Sequence, residues 1–241
     1  MKLINRRTWF APLAGLCLVS CYQTPSASQQ VSIAMKPGNL NLLAESSVSA
    51  GAGLRWMNLP DNVRYENGVM IVPTAPGSDF FIDPDNRSIS ASAPFVYWET
   101  EGDFIATALV EPDFSATWNA VSVMVMLDSV NWIKFAFERS DATGKSIVSV
   151  VTKELSDDAN GVRLPEASKV WLRVIRKGDL YSMFWSVNGE QFLMARLTRM
   201  KSQAAVKVGV EAQSPLTKEA THKIHFFAVE SATVENLRTG I

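Results

Sequence analysis

The sequence predicts an all-β domain, a sandwich or a barrel, from three observations. Apolar residues recur at every second position in several short runs. Tight-turn dipeptides separate those runs. No stretch of a dozen residues carries a 3.6-residue stripe. In a strand, successive side chains point to opposite faces, so alternation marks a ribbon with one buried side. Many short strands punctuated by turns are the pattern of a sandwich or barrel.

The runs are Val121, Val123, Val125 and Leu127; Ile133, Phe135 and Phe137; Val170, Leu172 and Val174; and Val206, Val208 and Val210. These sets are expected to form one buried face. Asn67-Gly68 and Asn188-Gly189 read as two-residue hairpin turns, because type I′ turns need positive φ at both positions. Lys177-Gly178-Asp179 and Glu101-Gly102 read as further turns between apolar runs.

The other face of the same runs is mixed. It carries Trp132, Lys134, Ala136 and Glu138; Trp171, Arg173 and Ile175; Lys207, Gly209 and Glu211; and Ala120, Ser122, Met124 and Met126. Tryptophans, charges and small residues together do not make a core. Such a face is either solvated or lines a groove.

The N-terminus reads as a targeting segment. Lys2, Arg6 and Arg7 precede a short apolar stretch, residues 9–19, interrupted by Pro12. A bilayer-spanning helix needs about 20 apolar residues, so this stretch is too short. It ends in Leu18-Val19-Ser20-Cys21, with a small residue before the cysteine. That order resembles the bacterial lipoprotein cleavage box, which implies lipidation of Cys21 and removal of residues 1–20. An ordinary secreted protein cleaved nearby is the alternative. Cys17 and Cys21 are the two cysteines, and Cys17 would leave with the signal, so no disulfide is expected. The lipid implies a membrane anchor in the cell envelope. Tyr22 follows where an aspartate would hint at inner-membrane retention, which favours the outer membrane, by resemblance.

Removing residues 1–20 takes three of the 23 Lys and Arg and none of the 24 Asp and Glu, which leaves the remainder near −4. No basic run stands out, so nucleic acid is not an expected partner. Residues 22–50, rich in Ser, Ala, Gln and Asn, read as a flexible tether, with residues 31–35 able to add an edge strand. The domain is expected over residues 51–241, enough chain for one core.

Several sequence blocks carry a family resemblance. They are Arg55-Trp56-Met57-Asn58-Leu59-Pro60, Ser78-Asp79-Phe80, Glu101-Gly102-Asp103-Phe104, Asn131-Trp132-Ile133-Lys134 with Glu138, Ser149-Val150-Val151-Thr152, Trp171-Leu172-Arg173-Val174, Arg176-Lys177-Gly178-Asp179 and Ser214-Pro215. Taken in order, they resemble the "regulation of enolase" type domain of unknown function, in the concanavalin A-like lectin and glucanase superfamily. The resemblance implies an antiparallel jelly-roll β-sandwich with one curved sheet forming a groove. It implies no reaction. Ala120 and Met126 stand where family members often carry polar groups, which implies an altered groove here.

Glycan binding needs aromatic platforms with hydrogen-bonding groups around them. Trp132, Trp171, Lys134, Glu138, Thr152, Arg173 and Glu211 are the candidate ligand-binding residues. The competing reading packs both tryptophans under loops and pairs Arg173 with Glu138 or Glu211 across strands. An interaction or scaffold domain of the envelope is a second function class. A glycoside hydrolase is a third, with Glu138 and Glu211 as its carboxyl pair. The acids of Glu99-Thr100-Glu101-Gly102-Asp103 straddle a turn and would not share one face.

No catalytic residue, cofactor or metal site is expected. His222 and His225 are the two histidines, with no cysteine near them. Asp83-Pro84-Asp85-Asn86 offers oxygens for Ca²⁺, but these are also ordinary turn residues. No nucleophile elbow or phosphate-binding glycine loop appears.

Overall fold

A computed structural model describes residues 41–43, 53–201 and 205–241. All described regular structure is β. The strands are β1 (Arg55–Met57), β2 (Arg64–Glu66), β3 (Val69–Thr74), β4 (Phe80–Ile82), β5 (Ile89–Ala91) and β6 (Phe95–Glu101). Next come β7 (Phe104–Glu111), β8 (Ala120–Met126), β9 (Asn131–Ser140), β10 (Gly144–Lys153) and β11 (Leu155–Arg163). The chain closes with β12 (Val170–Lys177), β13 (Leu180–Ser186), β14 (Leu193–Arg199), β15 (Ala205–Gln213) and β16 (Ala220–Glu230).

Two seven-stranded antiparallel sheets face each other. The first has the order β1-β6-β15-β8-β9-β10-β11, and the second β14-β13-β12-β7-β16-β3-β2. The short hairpin β4-β5 pairs only with itself. This is an antiparallel β-sandwich consistent with a jelly-roll, concanavalin-like fold.

The alternation decides what lies between the sheets. Val121, Val123, Val125, Ile133, Phe135, Phe137, Val206, Val208 and Val210 point inward from the first sheet. Val170, Leu172 and Val174 meet them from the second. The four runs therefore supply the facing inner surfaces of two sheets, where the alternation alone led to the expectation of one buried face. Burying such a side chain stabilises the fold by about 1.5–3 kcal/mol.

Turn chemistry holds at most of the expected places. Asn67 and Gly68 have φ of 53° and 79°, and Glu66 pairs directly with Val69, a two-residue hairpin. Gly102 and Gly178 also take positive φ, at 68° and 58°. Asn188-Gly189 differs. It lies in a six-residue connection between β13 and β14, where the Asn188 side chain accepts bonds from the Glu190 and Gln191 amides. The asparagine shapes an Asx-type loop instead of a tight hairpin.

Three residues of the expected tether are described, and they pack against the sandwich. Leu42 and Leu43 join the central core, the Leu42 amide donates to the Phe227 carbonyl at 2.8 Å, and Asn41 accepts from the Phe227 amide at 3.1 Å. Two adjacent leucines are a poor tether and a good plug. Cys21 and the expected edge strand at residues 31–35 lie outside the described residues.

Candidate cleft on the outward face of the first sheet

Strand register lays the outward face of the first sheet out as a grid. Across β15, β8, β9 and β10 the rows are Gln213–Ala120–Glu138–Ser146, then Glu211–Ser122–Ala136–Val148, then Gly209–Met124–Lys134–Val150, then Lys207–Met126–Trp132–Thr152. The rows continue onto β11 as Arg163, Asn160, Asp158 and Ser156, with a bulge between the first two.

The two ends of this face differ. At one end the hairpin β4-β5 covers the sheet. Phe80 and Ile82 pack there with Phe95, Tyr97, Met124, Met126 and Trp132. The Phe80 and Trp132 rings meet edge to face at 6.0 Å. Thr152 and Ser156 share a hydroxyl bond of 2.8 Å, and Ser156 accepts the Ile82 amide at 2.9 Å, which ties the hairpin down. At the other end Ala120 and Ala136 leave the surface low, with Val148, Val150 and Phe81 beside them.

Above that low ground lies a cleft of about 390 Å³. Its floor is Val148, Val150, Lys134 and Glu138, and its walls carry Asp79, Phe81, Asp83, Trp118, Asp141, Asp158, Asn160, Gln213 and Pro215. Trp118 is 39% exposed and holds φ at 63°, a left-handed conformation that a bulky side chain rarely adopts.

One buried chain of hydrogen bonds builds this site. Lys134 Nζ donates to Asp79 Oδ1 at 2.9 Å and to Gln213 Oε1 at 2.6 Å. Gln213 Nε2 donates to the Trp118 carbonyl at 2.9 Å. The Asp79 carbonyl accepts the Ser92 and Ala93 amides, and its carboxylate accepts the Phe80 amide. A single amine thus joins the sheet, the covering hairpin and the Trp118 loop.

Electrostatics follow from burial. Burial alone would lower the Lys134 pKa, but the charges of Asp79 and Glu211 outweigh it and hold the amine above its usual value. Glu138 is pushed up to about 8, first by burial and then by Asp79, Glu211 and Asp158, against the pull of Lys134. Glu211 is pushed up to about 7 by burial, although Lys134 and a 2.6 Å bond from Ser122 draw it down. Its other oxygen, Oε1, is buried without a partner among the described residues.

The expected site residues divide. Lys134 and Glu138 line the cleft. Glu211 shares their face but is fully buried beneath it, so the Glu138–Glu211 pair cannot flank a bound glycosidic link. Trp132 is fully buried under the hairpin and offers no open platform. Thr152 is buried and serves the hairpin.

Trp171 and Arg173 are on β12, in the second sheet, and turn away from the core. Trp171 packs on Phe226 at 5.4 Å, and the Arg173 guanidinium lies 3.7 Å over the Phe192 ring. They cannot share a groove with Trp132, nor can Arg173 pair with Glu138 or Glu211. Period-two alternation assigns a side chain to a face of its own ribbon; it does not say which sheet the ribbon joins.

Met126 sits under the hairpin, while Ala120 forms part of the low ground. Sequence reading missed Trp118, Gln213 and Asp158. Trp118 carried one usable signal, a large aromatic in the polar loop Ser115-Ala116-Thr117-Trp118-Asn119.

A second buried polar cluster has a structural role. The Asp113 amide donates to His222 Nδ1 at 3.2 Å, which leaves Nε2 to donate to Thr74 Oγ1 at 3.2 Å. Burial lowers the His222 pKa to about 4. An imidazole in that tautomer cannot take a proton from Thr74. Among the described residues no three His, Cys, Asp or Glu side chains are grouped to hold a metal. Asp83 instead caps its own turn, accepting the Asp85 and Asn86 amides.

A family model described as "Protein of unknown function (DUF1349)" matches residues 56–232. The chain is 26% identical over 160 residues to Regulation of enolase protein 1 of Saccharomyces cerevisiae, covering 66% of this chain and 80% of the yeast protein. A crystal structure of a functionally unknown protein from Saccharomyces cerevisiae superposes with a TM-score of 0.71 at 23% identity, over 76% of this chain and 98% of that one. The GH43 protein BlXynB from Bacillus licheniformis superposes at 0.55 and 16% identity, over 69% of this chain but 34% of that chain. A Lotus tetragonolobus seed lectin superposes at 0.51 and 10% identity, over 76% and 95%. These structural likenesses show the fold alone.

Proposed function

Because the chain belongs to the DUF1349 family of proteins of unknown function, we propose from its own geometry that the sandwich is a carbohydrate-binding module. The observation that carries this is the exposed Trp118 indole beside an open polar cleft. Sugar rings present apolar C–H faces edged by hydroxyls. An indole meets the first, and carboxyls and amides meet the second. Asn160 accepts from Ser140 and Thr143 through its carbonyl, which leaves its amide free to donate toward the cleft. The Trp118 carbonyl accepts from Gln213 and its amide donates to the Arg139 carbonyl at 2.7 Å, so the platform is preorganised.

In this reading the module is carried on an exported lipoprotein, anchored in the bacterial envelope through lipid on Cys21, with the outer membrane favoured. The Leu18-Val19-Ser20-Cys21 order supports it. Metabolic labelling with palmitate, lost in Cys21→Ala, tests the anchor.

Calorimetry of the full chain against uncharged oligosaccharides tests the module. Trp118→Ala should weaken binding by about tenfold or more, near the 1.4 kcal/mol that tenfold represents. Absence of saccharide binding, or binding indifferent to Trp118, would overturn the reading. In that case, pull-down of an envelope protein would favour the scaffold class.

A further inference from the structure

We infer that the cleft selects uncharged saccharide units and turns away acidic ones: its aspartates repel an acid, and the Glu138 carboxyl takes a hydroxyl of the neutral unit. The inference rests on the carbohydrate-binding reading and deepens it.

Glu138 lines the cleft yet is only 9% exposed. Directly across the β8–β9 ladder stands Ala120, and Ala136 precedes it on the same face. Neither small side chain reaches its carboxyl. Among the described residues no side chain or amide forms a hydrogen bond to it. Leaving a buried carboxyl unmatched is costly, and the open side of Glu138 is the cleft itself. A ligand group is the missing partner.

Charge decides what kind of group. Among the described residues Lys134 is the one amine lining the cleft, and Asp79 and Gln213 already engage it. The walls add Asp83, Asp141 and Asp158. Among the described lining residues an incoming carboxylate would therefore meet four aspartates and no uncommitted cation. A hydroxyl meets no such penalty.

Every charged group around Glu138 bears on this. Its own strand offers Lys134, the neighbouring β10 offers none on this face, β11 offers Asp158 and, in register beyond Ser146, Arg163, and β15 offers Glu211 and, three rows away, Lys207. The loops add Asp79, Asp83 and Asp141. Burial first, and then the surrounding acids, push the Glu138 carboxyl up to about 8 against the pull of Lys134, which favours its protonated form at pH 7. A neutral carboxyl both donates and accepts, as a sugar hydroxyl does.

Calorimetry of the full chain with cellohexaose, xylohexaose and laminarihexaose, against an oligogalacturonate of equal length, at pH 6.5 and 9.5, tests the inference. At pH 6.5 one of the neutral sugars should bind at least about tenfold more tightly than the uronate. That affinity should fall about tenfold or more by pH 9.5, as Glu138 ionises and its donor is lost. Glu138→Gln keeps a donor and should bind the neutral sugar with little change between the two pH values. Uronate binding as tight as neutral binding overturns the inference, and so does an affinity flat with pH in the unaltered chain. Either result leaves the carbohydrate reading standing if Trp118→Ala still weakens binding by about tenfold or more. No binding of any saccharide at either pH overturns both.

Discussion

Lys134 Nζ donates to Gln213 Oε1 at 2.6 Å, and the other end of that glutamine holds the Trp118 carbonyl. Two side chains separated by the whole width of β8 thus brace the backbone of a third residue at the cleft wall, whose own amide donates to the Arg139 carbonyl.

Lys134→Met should break this arrangement. The variant keeps the length of the side chain but removes the charge. Asp79 then stays largely buried without its partner, and Glu138 and Glu211 lose their nearest cation. Breaking a buried pair costs about 3–5 kcal/mol. Each kcal/mol lowers Tm by about 2–4 °C in a domain of this size. Denaturant and thermal melts measure the loss; a cost under about 1 kcal/mol would show that the amine is dispensable.

The buried acids predict how stability varies with pH. Glu211 has an ordinary pKa of 4.5 in the unfolded chain and about 7 when folded. Between those values the folded state holds more protons than the unfolded one, so stability falls as pH rises. Glu138 extends the decline to about pH 8. Glu211→Gln should flatten the part between pH 4.5 and 7, a gain of roughly 1–3 kcal/mol at pH 8 relative to pH 5. Urea melts at pH 5, 6, 7 and 8 check this. The same slope in the variant would place the titrating group elsewhere.

Gly209→Ala should be strongly destabilising. A Cβ there would run into the Val96 carbonyl oxygen and lie 2.6 Å from the Tyr97 Cα, both on the neighbouring β6. Backbone cannot yield as a flexible side chain does, so the first sheet must shift. A loss of about 2 kcal/mol or more is expected. Circular dichroism melts would register it, and a neutral result would contradict the close β6–β15 approach.

Trp171→Ala should separate stability from binding. Its ring packs against Phe226 and under Gly189, where a Cβ would come within 2.7 Å of its indole nitrogen. Trp171 is half-buried on the outer face, so truncation should cost about 1–3 kcal/mol. Saccharide affinity should be unchanged, because β12 belongs to the other sheet. Weakened binding in the folded variant would refute that separation.

Which side of each ribbon faces the core is legible in the residue order. Phe135 points between the sheets and Lys134 points away from them, as period two requires, and positive φ follows Asn67-Gly68 into a hairpin. Those are local consequences of backbone geometry. The sequence also placed Lys134 and Glu138 on one outward face, since both sit at even positions of one strand.

Tertiary structure alone decided which strands are neighbours. It sent Trp171 and Arg173 to the second sheet, laid the β4-β5 hairpin over Trp132, and brought Asp79, Trp118 and Gln213 to Lys134 across 55, 16 and 79 residues of chain. Alternation has a range of a few residues, whereas strand order is settled by how two whole sheets close over a shared core. The cleft is made by that closure.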